Sequence, residues 1–256
     1  MQPRIYTIAR PTFDAAEVQR FLDDESETWR STDGAQSAEN VVEIAGRLCY
    51  MSFGARQFRR DNYEYVRNLI SQEHESVLEH VAWSFIITDV SRSFTHQLVR
   101  HRIGFSYSQL SQQYHDEEES DAAIPAIISD NPGLLREWHE VASASKAAYR
   151  SILSALEMDG GLLPELSKKE RNRLIRSAAR GILPANTLTK IMVTANARAL
   201  RHFFSIRGDL EGDEEMRLVS ALLFQIVSRD APSLFADFDI EHLSDGSPIL
   251  LKRLSR

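Results

Sequence analysis

A single cysteine, Cys49, stands in the 256 residues, so no disulfide can close within the chain. That usage suits a reducing compartment. Long apolar runs are also missing. None approaches the roughly 18 residues that a membrane-spanning helix needs. The opening MQPRIYTIARPTFD carries charge early and lacks the apolar stretch of a signal peptide, and we expect a cytoplasmic protein with no membrane partner. An excess of positive charge is absent too: 30 Lys and Arg face 37 Asp and Glu, a formal net charge of −7. General nucleic-acid binders are usually basic, so no nucleic-acid partner is expected and any anion site must be local. Metal-ligand spacing is lacking as well. There are eight histidines, but no HExxH and no cysteine pair. His96 and His101 would sit about 140° apart around a helix and could not face one ion. No metal is expected.

What remains is an ordinary globular composition, 43% hydrophobic and 26% charged, with enough chain for a sizeable core. RIYTIAR (4–10) alternates and predicts a short strand that Pro11 ends. SAENVVEIAGRLCY (37–50) has apolar residues at helical spacing, and YEYVRNLISQEH (63–74) reads as another helix. VAWSFIITDV (81–90) alternates as a strand, and SRSFTHQLVRHR (91–102) starts on a serine suited to cap a helix. HDEEESD (115–121) is an acidic loop. Leu134 to about Met158 predicts a long amphipathic helix, broken by DGGLLPE. Helical pattern returns from Ser167 until before Pro184, TLTKIMVTA (187–195) reads as a strand, and helices follow at about 196–206, 212–229 and from Pro232. The strands are few and show no regular βαβ rhythm, so the class is α+β. With no repeat and no linker, one domain over 1–256 is expected.

RHRIGFSYSQLSQQY (100–114) concentrates hydrogen-bonding groups. Arginine forks suit phosphate and carbonyl oxygens. Gly104 suits a helix stop, and Ser106, Ser108, Gln109, Ser111 and Gln112 offer donors that a phosphate could use. The plainer account of Arg100, His101 and Arg102 is a solvated helix end whose cations complement the dipole. A second polar block, 180–208, carries Arg180, Asn196, Arg198, His202 and Arg207, with Arg198 and His202 one turn apart on a shared face. Each block alone would pass for surface charge, but two in one acidic chain point to a built anion site. Cys49, in GRLCYMSF, is expected to pack as a small hydrophobe rather than act as a nucleophile.

The segments HESVLEH (74–80), SRSFTHQLVRHR (91–102), SYSQLSQQY (106–114), ILPANTLTK (182–190) and NARALRHFFSIR (196–207) resemble flavin-dependent thymidylate synthases, the ThyX family. RLCYMSF (47–53) and APSLFADF (231–238) resemble it too, so the likeness runs nearly end to end and in order. It implies a ThyX-like α+β fold, with a mixed or antiparallel sheet flanked by helices. It also implies a homotetramer that methylates carbon 5 of a uridine monophosphate nucleotide. Methylenetetrahydrofolate would supply the carbon, FAD the hydride, and NADPH would reduce the flavin. No enzyme nucleophile is needed, and no glycine-rich dinucleotide signature is present, which fits a family with its own way of holding FAD. The resemblance puts FAD contacts on Ser76, Arg100, His101, Arg102, Gln109, Asn196, Arg198 and His202. It puts nucleotide contacts on Gln97, Arg100, Gln109, Ser111, Gln112, Gln113, Arg180 and Arg207, with Arg207 polarising the uracil.

Three positions depart from the family pattern. Eight residues, 103–110, separate RHR from Ser111 where seven are usual. Gln113 replaces an arginine, and Glu211 stands where a histidine is usual. These departures leave both dUMP and UMP open as the nucleotide. The competing expectation is a non-catalytic nucleotide- or RNA-binding protein derived from the same fold.

Overall fold

The computed structural model describes residues 2–58, 61–158 and 163–253 of the chain. In chain order the elements are β1 (Arg4–Ala9), α1 (Ala15–Asp24), α2 (Ser37–Tyr50), α3 (Asn62–Ser71), β2 (Ala82–Ser91), α4 (Arg92–Leu98), β3 (Phe105–Gln109) and α5 (Ala126–Ser129). There follow α6 (Pro132–Met158), α7 (Lys168–Ala179), β4 (Leu188–Asn196), α8 (Ala197–Arg207), α9 (Glu214–Asp230), β5 (Phe238–His242) and β6 (Pro248–Lys252). Short 3-10 turns occupy Gly54–Arg56, Glu75–His80, Arg180–Ile182 and Pro232–Phe235. Strands β1, β2, β4 and β3 form one sheet in that order, and β5 pairs antiparallel with β6, Ile240 opposite Leu250. The class is α+β, as expected. No described helix is long and apolar enough to cross a membrane.

The chain forms two compact units, each assembled from three stretches. The first is Met1–Arg4, Ile87–Arg100 and Tyr107–Met192; the second is Ile5–Ile86, His101–Ser106 and Val193–Arg256. The first unit has its own small core, in which Tyr149 and Leu153 of α6 meet Ile175 and Ala179 of α7. The Tyr149 hydroxyl donates to Asp116 and accepts from the Glu117 backbone N–H, which ties the acidic segment to α6. The second unit is held by an aromatic cluster. The Phe204 ring lies about 6 Å from those of Phe203, Phe224, Phe235 and Phe238, within the range of favourable edge contacts.

Helix periodicity was legible. Helix α2 has the expected span, but its buried face is Ala38, Glu39, Val42, Glu43, Gly46 and Arg47, while the apolar residues at helical spacing, Val41, Ile44, Ala45 and Leu48, are half-buried or exposed. Its cap is Gln36 rather than Ser37: the Glu39 carboxylate accepts from the Gln36 backbone N–H at 2.8 Å. Cys49 falls off that buried stripe. It is exposed, with Sγ turned back to the Ala45 carbonyl at 3.3 Å, so the expectation of a packed cysteine is corrected.

Other expectations shift. The helix predicted over 91–102 ends at Leu98. Ser91 does cap it, its Oγ accepting from Phe94 N at 2.9 Å. The Leu98 carbonyl, which a continuing helix would bond to Arg102 N–H, instead accepts the Tyr107 hydroxyl at 2.9 Å. Arg100, His101 and Arg102 therefore lie beyond the helix. SYSQ, read as a string of donors, belongs to β3, with Phe105, Tyr107 and Gln109 half-buried and Ser106 and Ser108 exposed. Helix α1 and the β5–β6 hairpin carried no expectation. The break assigned to DGGLLPE lies partly outside the described residues, which resume at Leu163.

Candidate active site

In the second unit the site begins with Asn196, the last residue of β4. Its backbone is extended, and its Oδ1 accepts from Ala199 N at 2.8 Å, so one residue ends the strand and caps α8. Its backbone N–H donates to the Gly104 carbonyl at 3.1 Å. Gly104 has φ of +73°, and a Cβ there would stand 2.7 Å from Ala199 Cβ and under 3 Å from the Asn196 amide. Only glycine fits, on both conformation and space. Ile103 and Gly104 form the turn that leads into β3, so the eight-residue spacer contains a turn pinned to the α8 cap.

Helix α8 then delivers Arg198, His202 and Arg207. The Arg207 Nε donates to His101 Nε2 at 3.0 Å. An acceptor nitrogen must carry a lone pair, so His101 is neutral and its proton sits on Nδ1. The surroundings agree. Burial, then the charge of Arg207, then His202, pull the His101 pKa down to about 4. The imidazole sits against Phe203 at 5.2 Å and near Phe105 at 6.1 Å and His202 at 6.3 Å. Arg207 has no carboxylate partner among the described residues, and neither does the exposed Arg102. Arg198 differs: it is paired with Glu79 at 2.5 Å and lies 3.8 Å from Glu75, flanking the exposed Ser76. Arg201, one turn from the aromatic cluster, makes a bidentate pair with Asp237 at 2.6 and 2.7 Å and is structural.

The depressed His101 pKa has a testable sign. It lies below the ordinary value of 6.5, so His101 has no effect on stability above about pH 6.5. As pH falls from there toward 4, the unfolded chain takes up a proton that the folded chain resists, and stability drops. Titration of the His101 ring by NMR should give a midpoint well below 6. A midpoint at 6.5 or above would mean that Arg207 does not donate to this nitrogen in solution.

The first unit holds a second set. Gln109, at the end of β3, donates from Nε2 to Thr95 Oγ1 at 2.9 Å. Ser111 Oγ accepts from Gln113 N at 3.3 Å, and the Gln113 side chain donates to Ser177 Oγ of α7 at 3.3 Å. The Gln113 amide is thus tethered to α7. Gln112 is buried, and its Nε2 has no hydrogen-bond partner among the described residues. Gln97 is half-buried on α4. Arg180 caps the end of α7 and, like the exposed Arg100, has no carboxylate partner among the described residues. Arg92, half-buried, has its pKa lowered by burial, with Glu117 opposing and the Arg180 charge adding to the fall. Two guanidiniums close enough to repel favour an anion beside them.

The predicted residues therefore divide. Ser76, His101, Arg102, Asn196, Arg198, His202 and Arg207 lie in the second unit; Gln97, Arg100, Gln109, Ser111, Gln112, Gln113 and Arg180 lie in the first. The exposed Glu211 makes no hydrogen bond or ion pair among the described residues. Sequence reasoning missed Thr95, Ser177 and Glu79. Nothing local marks them, since their partners are 14, 64 and 119 positions away.

In the second unit, then, Arg207 lies against a neutral imidazole, and neither it nor the exposed Arg102 has a carboxylate partner among the described residues. The family described as Thymidylate synthase complementing protein matches residues 32–233. The chain is 41% identical over 225 residues to the flavin-dependent thymidylate synthase of Mycobacteroides abscessus, covering 88% of each protein. It is 42% identical over 226 residues to that of Mycolicibacterium vanbaalenii, covering 88% of this chain and 89% of the relative. For the Mycobacterium tuberculosis protein of the same name the identity is 39% over 225 residues, with the same coverage as the Mycolicibacterium relative. The chain belongs to the flavin-dependent thymidylate synthase (ThyX) family.

Proposed function

We propose that the protein methylates carbon 5 of a uridine monophosphate nucleotide, with dUMP as the main substrate and UMP accepted beside it. Methylenetetrahydrofolate is the carbon donor and NADPH the ultimate reductant. FAD, when bound, supplies the hydride. The observation that carries this reading is that the arginines of the two polar blocks, Arg102 and Arg207 in one unit and Arg100 and Arg180 in the other, have no carboxylate partner among the described residues, in a chain of net charge −7. Arg180, with the Ser111–Gln113 segment, holds the nucleotide phosphate. Arg207 faces the ring oxygens and stabilises the negative charge that develops as carbon 5 attacks. The neutral His101 takes up the Arg207 Nε–H, which directs the two terminal nitrogens of the guanidinium elsewhere. Arg198 must exchange Glu79 for cofactor if it binds flavin.

Acceptance of UMP is supported by Gln113. A neutral amide tethered to Ser177 replaces a charge-assisted contact worth about 1.5–3 kcal/mol, and a hydrogen bond to a 2′-hydroxyl would recover part of it. The active assembly is a homotetramer in the cytoplasm.

Purified protein should carry FAD, or take it up, through gel filtration with visible flavin absorbance. Absence of flavin would favour a non-catalytic nucleotide- or RNA-binding protein and sink the enzymatic reading. With flavin retained, dUMP and UMP are assayed side by side and the methylated product is read by mass. Turnover of dUMP with none of UMP would leave a strict thymidylate synthase.

A further inference from the structure

Thr95 lies on α4, 2% exposed, and its hydroxyl makes two hydrogen bonds. It donates to the Arg92 carbonyl at 3.0 Å, and it meets the Gln109 side-chain nitrogen at 2.9 Å. A hydroxyl has one proton. With that proton on Arg92, Thr95 can only accept from Gln109, so the Gln109 NH2 must face Thr95 and its carbonyl must face away. The flipped amide would require the Thr95 proton and would leave the Arg92 bond unmade. The arrangement seen is thus favoured by one buried hydrogen bond. No described residue donates to Gln109 Oε1.

We propose that Thr95 is a positioning residue, locking the Gln109 amide so that its carbonyl accepts from the imide N–H of a bound ligand. The inference rests on the function proposed above, which supplies two such groups, N3–H of the uracil and N3–H of the isoalloxazine. An imide N–H is a donor between two carbonyls, so an amide presenting NH2 at that place would set donor against donor. Thr95 does not touch the ligand and acts only through the direction in which Gln109 points.

The test uses the full-length holoenzyme and compares ligands with and without the donor. Binding of dUMP is measured against 3-methyl-dUMP, and binding of FAD to the apoprotein against 3-methyl-FAD. The wild type should prefer one unmethylated ligand of a pair. In Thr95→Val, which keeps the shape and removes the hydroxyl, that preference should shrink by about 5-fold, the worth of one hydrogen bond. Thr95→Ser should restore it. A shrinking dUMP preference assigns the carbonyl to the uracil; a shrinking FAD preference assigns it to the flavin. Unchanged preferences in Thr95→Val, or a serine variant that behaves like valine, would overturn the proposal, because packing alone does not distinguish the methylated ligands this way. If Thr95→Val fails to fold, Gln109→Glu decides. Its carboxylate is an acceptor whichever way it turns, so it should keep the preference, and loss of the preference would overturn the proposal. A wild type that binds neither dUMP nor FAD would instead be a failure of the proposed function.

Discussion

Arg207→Ala is expected to lower turnover by about 100-fold or more, because a preorganised charge contact to a developing oxyanion is worth about 3 kcal/mol. Nucleotide affinity should change far less. Arg207 is the final residue of α8, half-buried, with Nε committed to His101 at 3.0 Å and no carboxylate to neutralise it. Its charge is therefore available to a ligand. The neutral imidazole holds the side chain without adding a like charge. Arg180→Ala should do the opposite, weakening nucleotide binding with a smaller effect on the chemical step, since a ground-state phosphate contact is made equally before and during reaction. Single-turnover rates and nucleotide titrations on both variants separate the two effects. If Arg207→Ala raises KM and spares kcat while Arg180→Ala does the reverse, the roles are exchanged.

Glu43→Ala should cost about 3–5 kcal/mol of stability, the penalty for leaving a buried charge without its partner. In the second unit, Glu43 and Arg47 of α2 are an i,i+4 pair at 2.7 Å, each side chain about 1% exposed. Glu43 does more than pair. Its Oε1 also accepts from Trp29 Nε1 at 3.0 Å, and its Oε2 from Asn62 Nδ2 at 2.8 Å, at the first residue of α3. Arg47 in turn donates to the Ser52 carbonyl at 3.1 Å and lies 4.3 Å above the Tyr65 ring. Alanine would leave the Arg47 guanidinium without its carboxylate and take this acceptor from the Trp29 indole, while Arg47 keeps the Ser52 carbonyl and Asn62 Nδ2 keeps the Glu39 carbonyl at 3.0 Å. At 2–4 °C per kcal/mol for a chain near this size, the melting temperature should fall by about 10 °C. Glu43→Gln keeps an acceptor and should lose less. A fall below about 3 °C for the alanine variant would mean that water or a neighbour replaces the carboxylate, and that the pair contributes register more than stability.

The sequence by itself determined the class, most helix spans and the family. The span of helix α2 was legible because Val41, Ile44, Ala45 and Leu48 recur at helical spacing, though packing buried the neighbouring face that carries Glu43 and Arg47. Strand β2 was legible because Trp83, Phe85 and Ile87 alternate toward the core. Such patterns are carried by neighbours along the chain, and local backbone geometry converts them directly into a face. The blocks at 100–114 and 180–208 stood out by residue type alone, with no period behind them. Tertiary structure alone decided the rest. It ended α4 at Leu98, because a hydroxyl nine residues away, on Tyr107, takes the Leu98 carbonyl. It moved Cys49 to the surface, because the side of α2 that faces α3 is set by packing between the two helices. It half-buried His101 and joined it to Arg207 across 106 positions, and so kept the imidazole neutral. It paired Arg198 with Glu79, and it turned the Gln109 amide by means of Thr95. Each of these depends on which distant groups share a buried polar environment, and a hydrogen bond there is settled by three-dimensional proximity, which no local period encodes.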